Sequence, residues 1–175
     1  SDYAPGAGPA QQHALRLPQC REHGIPSIVD SRYAIHRFRG IGYVKQNDAE
    51  LAAAVGRELA TTEDIIRAGE ELRRELHAKG VLVTRGELGM VLVESGAVHE
   101  IPVSDKSEVF DVSGAGDTCV ATVILALAAG AEPALAARLS NIASGIAVRK
   151  LGTSTVSVRE LAEAVEKQHP EYPSK

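Results

Sequence analysis

Several residue patterns that mark large functional classes are absent from this chain of 175 residues. Its two cysteines, Cys20 and Cys119, have no C-x-x-C spacing. We therefore expect buried thiols in a reducing compartment rather than a disulfide framework. No two of the six histidines are four residues apart, which argues against a zinc site. The formal net charge of −4 gives no reason to expect nucleic acid or an anionic membrane as a partner.

Long hydrophobic runs and two common nucleotide-binding motifs are also missing. The apolar run from Cys119 to Ala129 is too short to span a bilayer, and the first residues show no signal-peptide pattern. We therefore expect a soluble, cytoplasmic protein with no membrane partner. The chain contains neither G-x-x-x-x-G-K-[ST] nor G-x-G-x-x-G, so neither a Walker loop nor a dinucleotide-dependent oxidoreductase is supported.

Short apolar segments alternate with longer helical patterns along the chain. The predicted strands are residues 25–29, 41–44, 81–84, 90–94 and 97–103, and the predicted helices are residues 10–23, 47–55, 62–78, 134–150 and 158–168. This alternation predicts one α/β domain, layered on a mostly parallel sheet. Ligands bind beyond the carboxyl ends of the strands in such sheets. Asp30, Asn47, Thr84 and Asp111 all fall at or just after predicted strand ends, which favours a single site.

The most informative stretch is Asp111-Val-Ser-Gly-Ala-Gly-Asp-Thr118, where an extended segment is predicted to lead into a long helix. Gly114 and Gly116 allow a tight turn and a close approach of ligand to backbone. The first amides of a helix have no partner within it, and the helix dipole makes them attractive to a phosphate or a developing anion. Asp117 would meet a hydroxyl brought up to that phosphate, as phosphoryl transfer requires. The alternative is that Asp117 is only a cap or a dipole partner.

This motif, followed by a small apolar helix, resembles the C-terminal signature of the ribokinase-like (PfkB-type) carbohydrate kinases. The residues of the motif at 111–118 most resemble those of the branch that phosphorylates heptose 7-phosphate. The resemblance implies a three-layer ribokinase-like α/β fold and the transfer of phosphate from ATP, with Mg²⁺, to a hydroxyl of a sugar or sugar phosphate. It further implies that the amides of Gly114, Ala115 and Gly116 form an anion hole and that Asp117 is the general base.

The segment Asn47-Asp-Ala-Glu50 follows a predicted strand and opens a helix. An N-cap at Asn47 with Glu50 as its capping-box partner is a complete structural interpretation. The family has an Asn-x-x-Glu motif at this place. The resemblance therefore implies that Asn47 contacts the cofactor and that Glu50 helps to hold Mg²⁺, acting through water because Mg²⁺ usually retains part of its hydration.

Two further segments resemble the nucleotide-binding parts of the family. Thr84-Arg-Gly86-Glu-Leu-Gly89 resembles a Thr-x-Gly-x-x-Gly nucleotide segment, in which Thr84 offers a hydroxyl and Gly86 lets the backbone approach phosphates. Gly89 suits the turn into the next strand, and a plain tight turn is the alternative for the whole segment. Asn141 matches the position at which an Asn of the family faces adenine. Residues 149–153 resemble the loop that closes the nucleotide pocket, although their two basic residues also suit a helix C-terminus.

The resemblance runs from Ser1 to about Ala164 and corresponds to only the C-terminal half of such a kinase. Residues 1–175 are therefore predicted to be its nucleotide-binding and catalytic portion, with a sheet that is incomplete at its N-terminal side. The lysine that follows Ser1-Asp2-Tyr3 in the heptose branch is missing here, and Arg32 is a candidate to replace its charge. An open sheet edge invites pairing, so the expected partner is the missing half or a second copy in a homo-oligomer. The competing hypothesis is a nucleotide-binding or assembly module without turnover.

Overall fold

The computed structural model describes residues 17–104 and 111–168. The chain divides into two compact units. The first contains Ser1–Arg85 and Met90–Glu100, and the second contains Gly86–Gly89 and Ile101–Lys175. The predictions for Ser1-Asp2-Tyr3 and for the extended segment before Asp111 lie outside the described residues.

The described residues form a five-stranded sheet with the order β1-β2-β3-β4-β5. The strands are β1 (Ile28–Asp30), β2 (Tyr43–Asn47), β3 (Gly80–Thr84), β4 (Met90–Glu94) and β5 (Ala97–Ile101). The first three strands are parallel, and β4 returns antiparallel to β3. The sheet is thus mixed and mostly parallel, as predicted. The second predicted strand is displaced, because β2 continues through Lys45 and Gln46 to Asn47.

Helices α1 (Asp48–Val55) and α2 (Thr62–Leu76) connect β2 to β3 in the first unit. Each begins with a complete capping box, formed by Asn47 and Glu50 for α1 and by Thr61 and Asp64 for α2. Because these boxes involve residues only three positions apart, both helix starts were predictable from sequence. The predicted end of α2 at residue 78 is wrong, because the helix ends at Leu76 and its C-cap His77 has a left-handed conformation.

The core of the first unit lies between these two helices and one face of the sheet. Leu51 of α1 and Leu72 of α2 are fully buried with Val44, Val81 and Val83 of the central strands. The two inner strands are buried along nearly their whole length, as expected of parallel strands covered on both faces. This packing holds the ends of β2 and β3 in place.

The second unit contains helices α3 (Ala115–Ala128), α4 (Pro133–Ala147) and α5 (Val158–Gln168). Small residues let α3 and α4 pack closely: Ala143 is almost fully buried, and the Ser144 hydroxyl donates to the carbonyl of Ala115 at 3.3 Å. Across the described ranges, no helix is both long enough and apolar enough for a membrane span.

Candidate active site

Three of the predicted polar positions are the last residues of neighbouring parallel strands. Asp30 ends β1, Asn47 ends β2 and Thr84 ends β3. Asn47 and Thr84 are direct partners in the register of β2 and β3, and the Thr84 hydroxyl lies 3.4 Å from the carbonyl oxygen of Gln46, to which it donates. The structure therefore brings Asn47 and Thr84 together at the carboxyl edge of the sheet, where ligands bind in α/β folds.

Asn47 and Glu50 form the capping box that their spacing predicts. The Asn47 carboxamide oxygen accepts the amide of Glu50 at 2.8 Å, and the Glu50 carboxylate accepts the amide of Asn47 at 2.9 Å. The Glu50 side chain is only 9% exposed. The structural interpretation of this pair is confirmed, and the box fixes both side chains at the end of β2.

Lys45 is a member of this site that the sequence analysis missed. Its ammonium group is buried and lies 3.0 Å from the carboxylate of Asp30, its register partner on β1, and 3.9 Å from that of Glu50. Arg32, which is half exposed, lies 3.5 Å from the other oxygen of Glu50. Burial raises the pKa of Asp30, and the Lys45 charge opposes that rise. No local signal marked it, because Lys45-Gln46-Asn47 reads as the polar end of a strand and the partner Asp30 lies on the neighbouring strand.

Next to this cluster, Arg85 follows Thr84 directly and contacts the first turns of both helices. Its Nη1 donates to the Thr62 hydroxyl at 2.9 Å, and its Nε lies 3.4 Å from Oδ1 of Asp48, the first residue of α1. Burial raises the pKa of Asp48, while the Arg85 charge counteracts it. Arg85 thus joins the end of β3 to the helix that begins with Asn47.

In the second unit, the start of α3 differs from the starts of α1 and α2. Its N-cap is Gly114 in a left-handed conformation (φ 78°), and no side chain caps the helix. Ala115 donates to the carbonyl of Val112 at 3.3 Å, which closes the tight turn that the glycines predict. Asp117 lies in the first turn and is exposed.

Asp111 holds the loop before α3 against the loop that follows α4. Its carboxylate accepts the amides of Ser113 at 2.8 Å and Gly152 at 3.2 Å. The hydrogen bond from Ser113, helped by that from Gly152, keeps the pKa of Asp111 below its ordinary value. The predicted pocket-closing loop at 149–153 is therefore tied to the Gly114 turn. Its Lys150 forms an ion pair with Glu160 at 2.6 Å.

The two glycines of the predicted nucleotide segment have different surroundings. Gly86 (φ 55°) has no atom within 4 Å of the position a Cβ would take. Gly89 (φ 86°) is crowded, because the same test places a Cβ 2.1 Å from the carbonyl oxygen of Ile101. Asn141, the predicted adenine-facing residue, is buried, and its amide group donates to the carbonyl of Pro102 at 2.6 Å.

The predicted site residues thus form two groups. Asn47, Glu50 and Thr84 lie together in the first unit. Gly86, Gly89, the Gly114–Asp117 turn and Asn141 belong to the second unit. Among the described ranges, no group of three His, Cys, Asp or Glu residues is arranged to hold a metal ion. Asp30 and Glu50 fit the looser mode in which Mg²⁺ keeps its waters and uses one or two carboxylates.

A model of the pfkB family carbohydrate kinases matches residues 15–160 of the chain. This chain belongs to the pfkB family. It is similar to the bifunctional protein HldE of Pseudomonas aeruginosa (strain UCBPP-PA14), with 42% identity over 173 residues that cover 96% of this chain and 35% of that protein. The bifunctional protein HldE of Halorhodospira halophila is 44% identical over 94% of this chain and 34% of its own length. The pfkB chain therefore spans about a third of the length of these curated relatives.

Solved structures confirm the ribokinase-like α/β fold of this pfkB chain. Phosphofructokinase-2 from Escherichia coli, in complex with potassium, superposes with a TM-score of 0.81 at 27% identity, over 94% of this chain and 54% of that one. Ribokinase from Arabidopsis thaliana, complexed with ribose and ATP, has a TM-score of 0.81 at 22% identity, over 90% of this chain and 53% of that one. The latter similarity concerns the fold alone.

Proposed function

We propose that this chain is the nucleotide-binding and catalytic portion of an ATP-dependent carbohydrate kinase. The reaction is transfer of the γ-phosphoryl group to a hydroxyl of a sugar or sugar phosphate. Membership of the pfkB family supports this reaction class, and the 35% share of the relatives' length supports a portion rather than a whole enzyme.

The start of α3 is the observation that carries the proposal. The third residue of each of the helices α1, α2 and α3 is acidic: Glu50 in α1, Asp64 in α2 and Asp117 in α3. The first two pair reciprocally with an N-cap side chain, but Gly114 has no side chain with which to form such a box. The Ala115 amide makes only a long bond of 3.3 Å, to the carbonyl of Val112, and no capping side chain competes with an anion that the helix dipole would attract to this end.

In the proposed mechanism the amides of Gly114, Ala115 and Gly116 stabilise the charge on the transferred phosphoryl group. Asp117 accepts the proton of the sugar hydroxyl as its oxygen attacks the γ-phosphorus, and the bond from that phosphorus to the β–γ bridging oxygen breaks to release ADP. Because the transition state is loose, positioning and electrostatic stabilisation provide most of the rate enhancement.

The family resemblance supplies the proposed nucleotide contacts of each unit. Asn47, Thr84 and Gly86 contact the phosphates, and Asn141 lies at the adenine end with its carboxamide already oriented by Pro102. Gly89 supports the segment through its turn. Glu50, with Asp30 near it, would hold Mg²⁺ through water. The ion would supply charge neutralisation at the β- and γ-phosphates.

For the acceptor, the first candidate is D-glycero-D-manno-heptose 7-phosphate, since the motif at residues 111–118 resembles the branch of that substrate. Arg32 is half exposed beside Glu50 and is the proposed cation for the phosphate already on the sugar. The remaining length seen in the relatives, or a second copy of the chain, completes the sugar side. A monomer in light scattering at micromolar concentration would count against the second copy.

Two measurements on the full chain test the proposal. Titration calorimetry with ATP and magnesium tests nucleotide binding, and a coupled assay of ADP release with heptose phosphate or ribose tests turnover. Binding without turnover would favour the competing hypothesis of a nucleotide-binding module, a hypothesis that rests on the 35% share of the relatives' length. Absence of both activities would contradict the proposed function.

The role of Asp117 is tested by Asp117→Asn with Asp64→Asn as a matched control. Both are third residues of helices, but only Asp64 completes a capping box. Where the protein turns over, Asp117→Asn should lower kcat by about 10²- to 10⁴-fold with ATP affinity nearly unchanged. Asp64→Asn should lower thermal stability and leave kcat unchanged. Full activity of Asp117→Asn would eliminate Asp117 as the base.

A further inference from the structure

Arg85 has an unusual position for a charged side chain. It is only 12% exposed, and its partners are Thr62 and Asp48, the first residues of α2 and α1. Helix N-termini carry partial positive charge, so a guanidinium group placed between two of them is electrostatically unfavourable. Asp48, which is 43% exposed, compensates for this charge only in part.

The contact between Arg85 and Asp48 is also imperfect as a stabilising interaction. Arg85 Nε and Asp48 Oδ1 are both buried and 3.4 Å apart, and neither has a hydrogen-bond partner among the described residues. Buried ion pairs of this kind often stabilise no more than an apolar side chain of similar size would. Stability therefore does not explain why an arginine occupies this position.

Its location offers a functional explanation. Arg85 follows Thr84 in the chain, and its side chain contacts Asp48, which lies between Asn47 and Glu50 in the sequence. Asn47 and Thr84 are register partners at the carboxyl ends of β2 and β3. The Arg85 side chain is thus a second connection, beside the strand pairing, between the end of β3 and the first turn of α1.

We infer that Arg85 is a positioning residue for the magnesium–nucleotide site, acting through Asp48 on the first turn of α1. The inference rests on the proposed function. Arg85 fixes the first turn of α1 relative to Thr84, so that the carboxylate of Glu50 and the carboxamide of Asn47 lie correctly for the metal-bound phosphates. It acts through these residues and is not itself a catalytic residue.

The test is the affinity for ATP with excess magnesium and with EDTA, measured by titration calorimetry on the full chain. Arg85→Met should raise the Kd for magnesium–ATP by about 3- to 30-fold, the usual range for residues that act through others. The Kd in EDTA should change much less, because the loss concerns the metal-dependent part of binding. Arg85→Lys should give an intermediate loss, since lysine keeps the charge without the planar fork that reaches both partners.

Asp48→Asn and the double variant Arg85→Met/Asp48→Asn test whether Arg85 acts through Asp48. Asp48→Asn should also weaken magnesium–ATP binding, and Arg85→Met/Asp48→Asn should be no worse than the more damaging single variant, because both break the same connection. The matched control is Arg74→Met on α2, whose side chain is 74% exposed and paired with Glu70. It should leave both affinities unchanged.

Thermal unfolding separates positioning from general destabilisation. Arg85→Met alone leaves Oδ1 of Asp48 buried without the guanidinium group and should lower the melting temperature. Arg85→Met/Asp48→Asn removes both charges and should melt near the wild-type temperature, so weakened magnesium–ATP binding in the double variant reports positioning. If Arg85→Met does not fold, the inference is tested instead by the affinities of Arg85→Lys for ATP with magnesium and with EDTA. Equal magnesium–ATP affinity of wild type and the Arg85 variants, or additive losses in the double variant, would overturn the inference alone. Failure of the wild type to bind magnesium–ATP would overturn the proposed function and this inference with it.

Discussion

Alanine at Gly89 and at Gly86 gives a matched comparison within one short segment. Both glycines have positive φ, 86° and 55°, so both variants pay a similar cost for placing a side chain in the left-handed region, about 1–2 kcal/mol. They differ in the space around the new methyl group. A Cβ at Gly86 meets nothing within 4 Å, whereas one at Gly89 lies 2.1 Å from Ile101 O and 2.7 Å from the carbonyl carbon of Pro102.

The crowding at Gly89 involves backbone atoms, which cannot move aside as the end of a side chain can. An ordinary contact begins at 3.4 Å, so the segment at Ile101 must shift by more than an ångström to accept a methyl group at 2.1 Å. Forcing extra atoms into a packed region costs about 1–3 kcal/mol. The free energy of unfolding should therefore fall by about 2–5 kcal/mol in Gly89→Ala and by about 1–2 kcal/mol in Gly86→Ala.

Urea denaturation followed by circular dichroism measures both losses, and calorimetry with ATP and magnesium measures binding in each folded variant. Gly86→Ala should weaken ATP binding while leaving the protein more stable than Gly89→Ala, because we expect the open side of Gly86 to face phosphates. Equal losses of stability in the two variants would refute the steric reasoning. Unchanged ATP affinity in Gly86→Ala would refute its proposed role at the nucleotide.

Three further predictions concern stability. Hydrogen bonds from Thr61 lower the pKa of Asp64 from 3.8 to about 2. Its contribution is therefore complete above pH 3.8 and lost as the pH falls toward 2, and the melting temperatures of wild type and Asp64→Asn should converge over that range. Lys45→Met leaves the Asp30 carboxylate buried without its partner and should cost about 3–5 kcal/mol at pH 7 in urea titrations. Burial raises the pKa of Asp30, so acid should reduce this loss by protonating it, and a pH-independent loss would contradict the reasoning. Leu72→Ala removes a fully buried side chain and should cost about 2–5 kcal/mol, and an unchanged urea midpoint would contradict it.

The helix starts show how far local sequence information reaches. The boxes at Asn47 and Thr61 were predictable because a cap and its partner are three residues apart, so no tertiary contact is needed to form them. The turn at Gly114 was equally predictable from sequence, since only a residue without a Cβ adopts its backbone conformation at little cost. The end of α2 was not predictable from sequence, because His77 takes the left-handed position that glycine usually occupies.

The error at β2 has a different origin. Lys45 and Gln46 read as the polar end of a strand, yet both are buried within it. Lys45 is compensated by Asp30, and Gln46 donates to the carbonyl of Ser31. Those partners lie 15 residues away, at the end of the neighbouring strand and directly after it, so a window moved along the sequence cannot detect them.

The sequence alone therefore determined the fold class, the family, the capped helix starts and the glycine turn that precedes Asp117, because each depends on residues close together in the chain. Only the tertiary structure decided that Asn47 pairs with Thr84, that Lys45 neutralises Asp30 and that Arg85 reaches Asp48. These contacts join residues 15 to 37 positions apart, and strand register and packing, rather than local preference, bring such residues together.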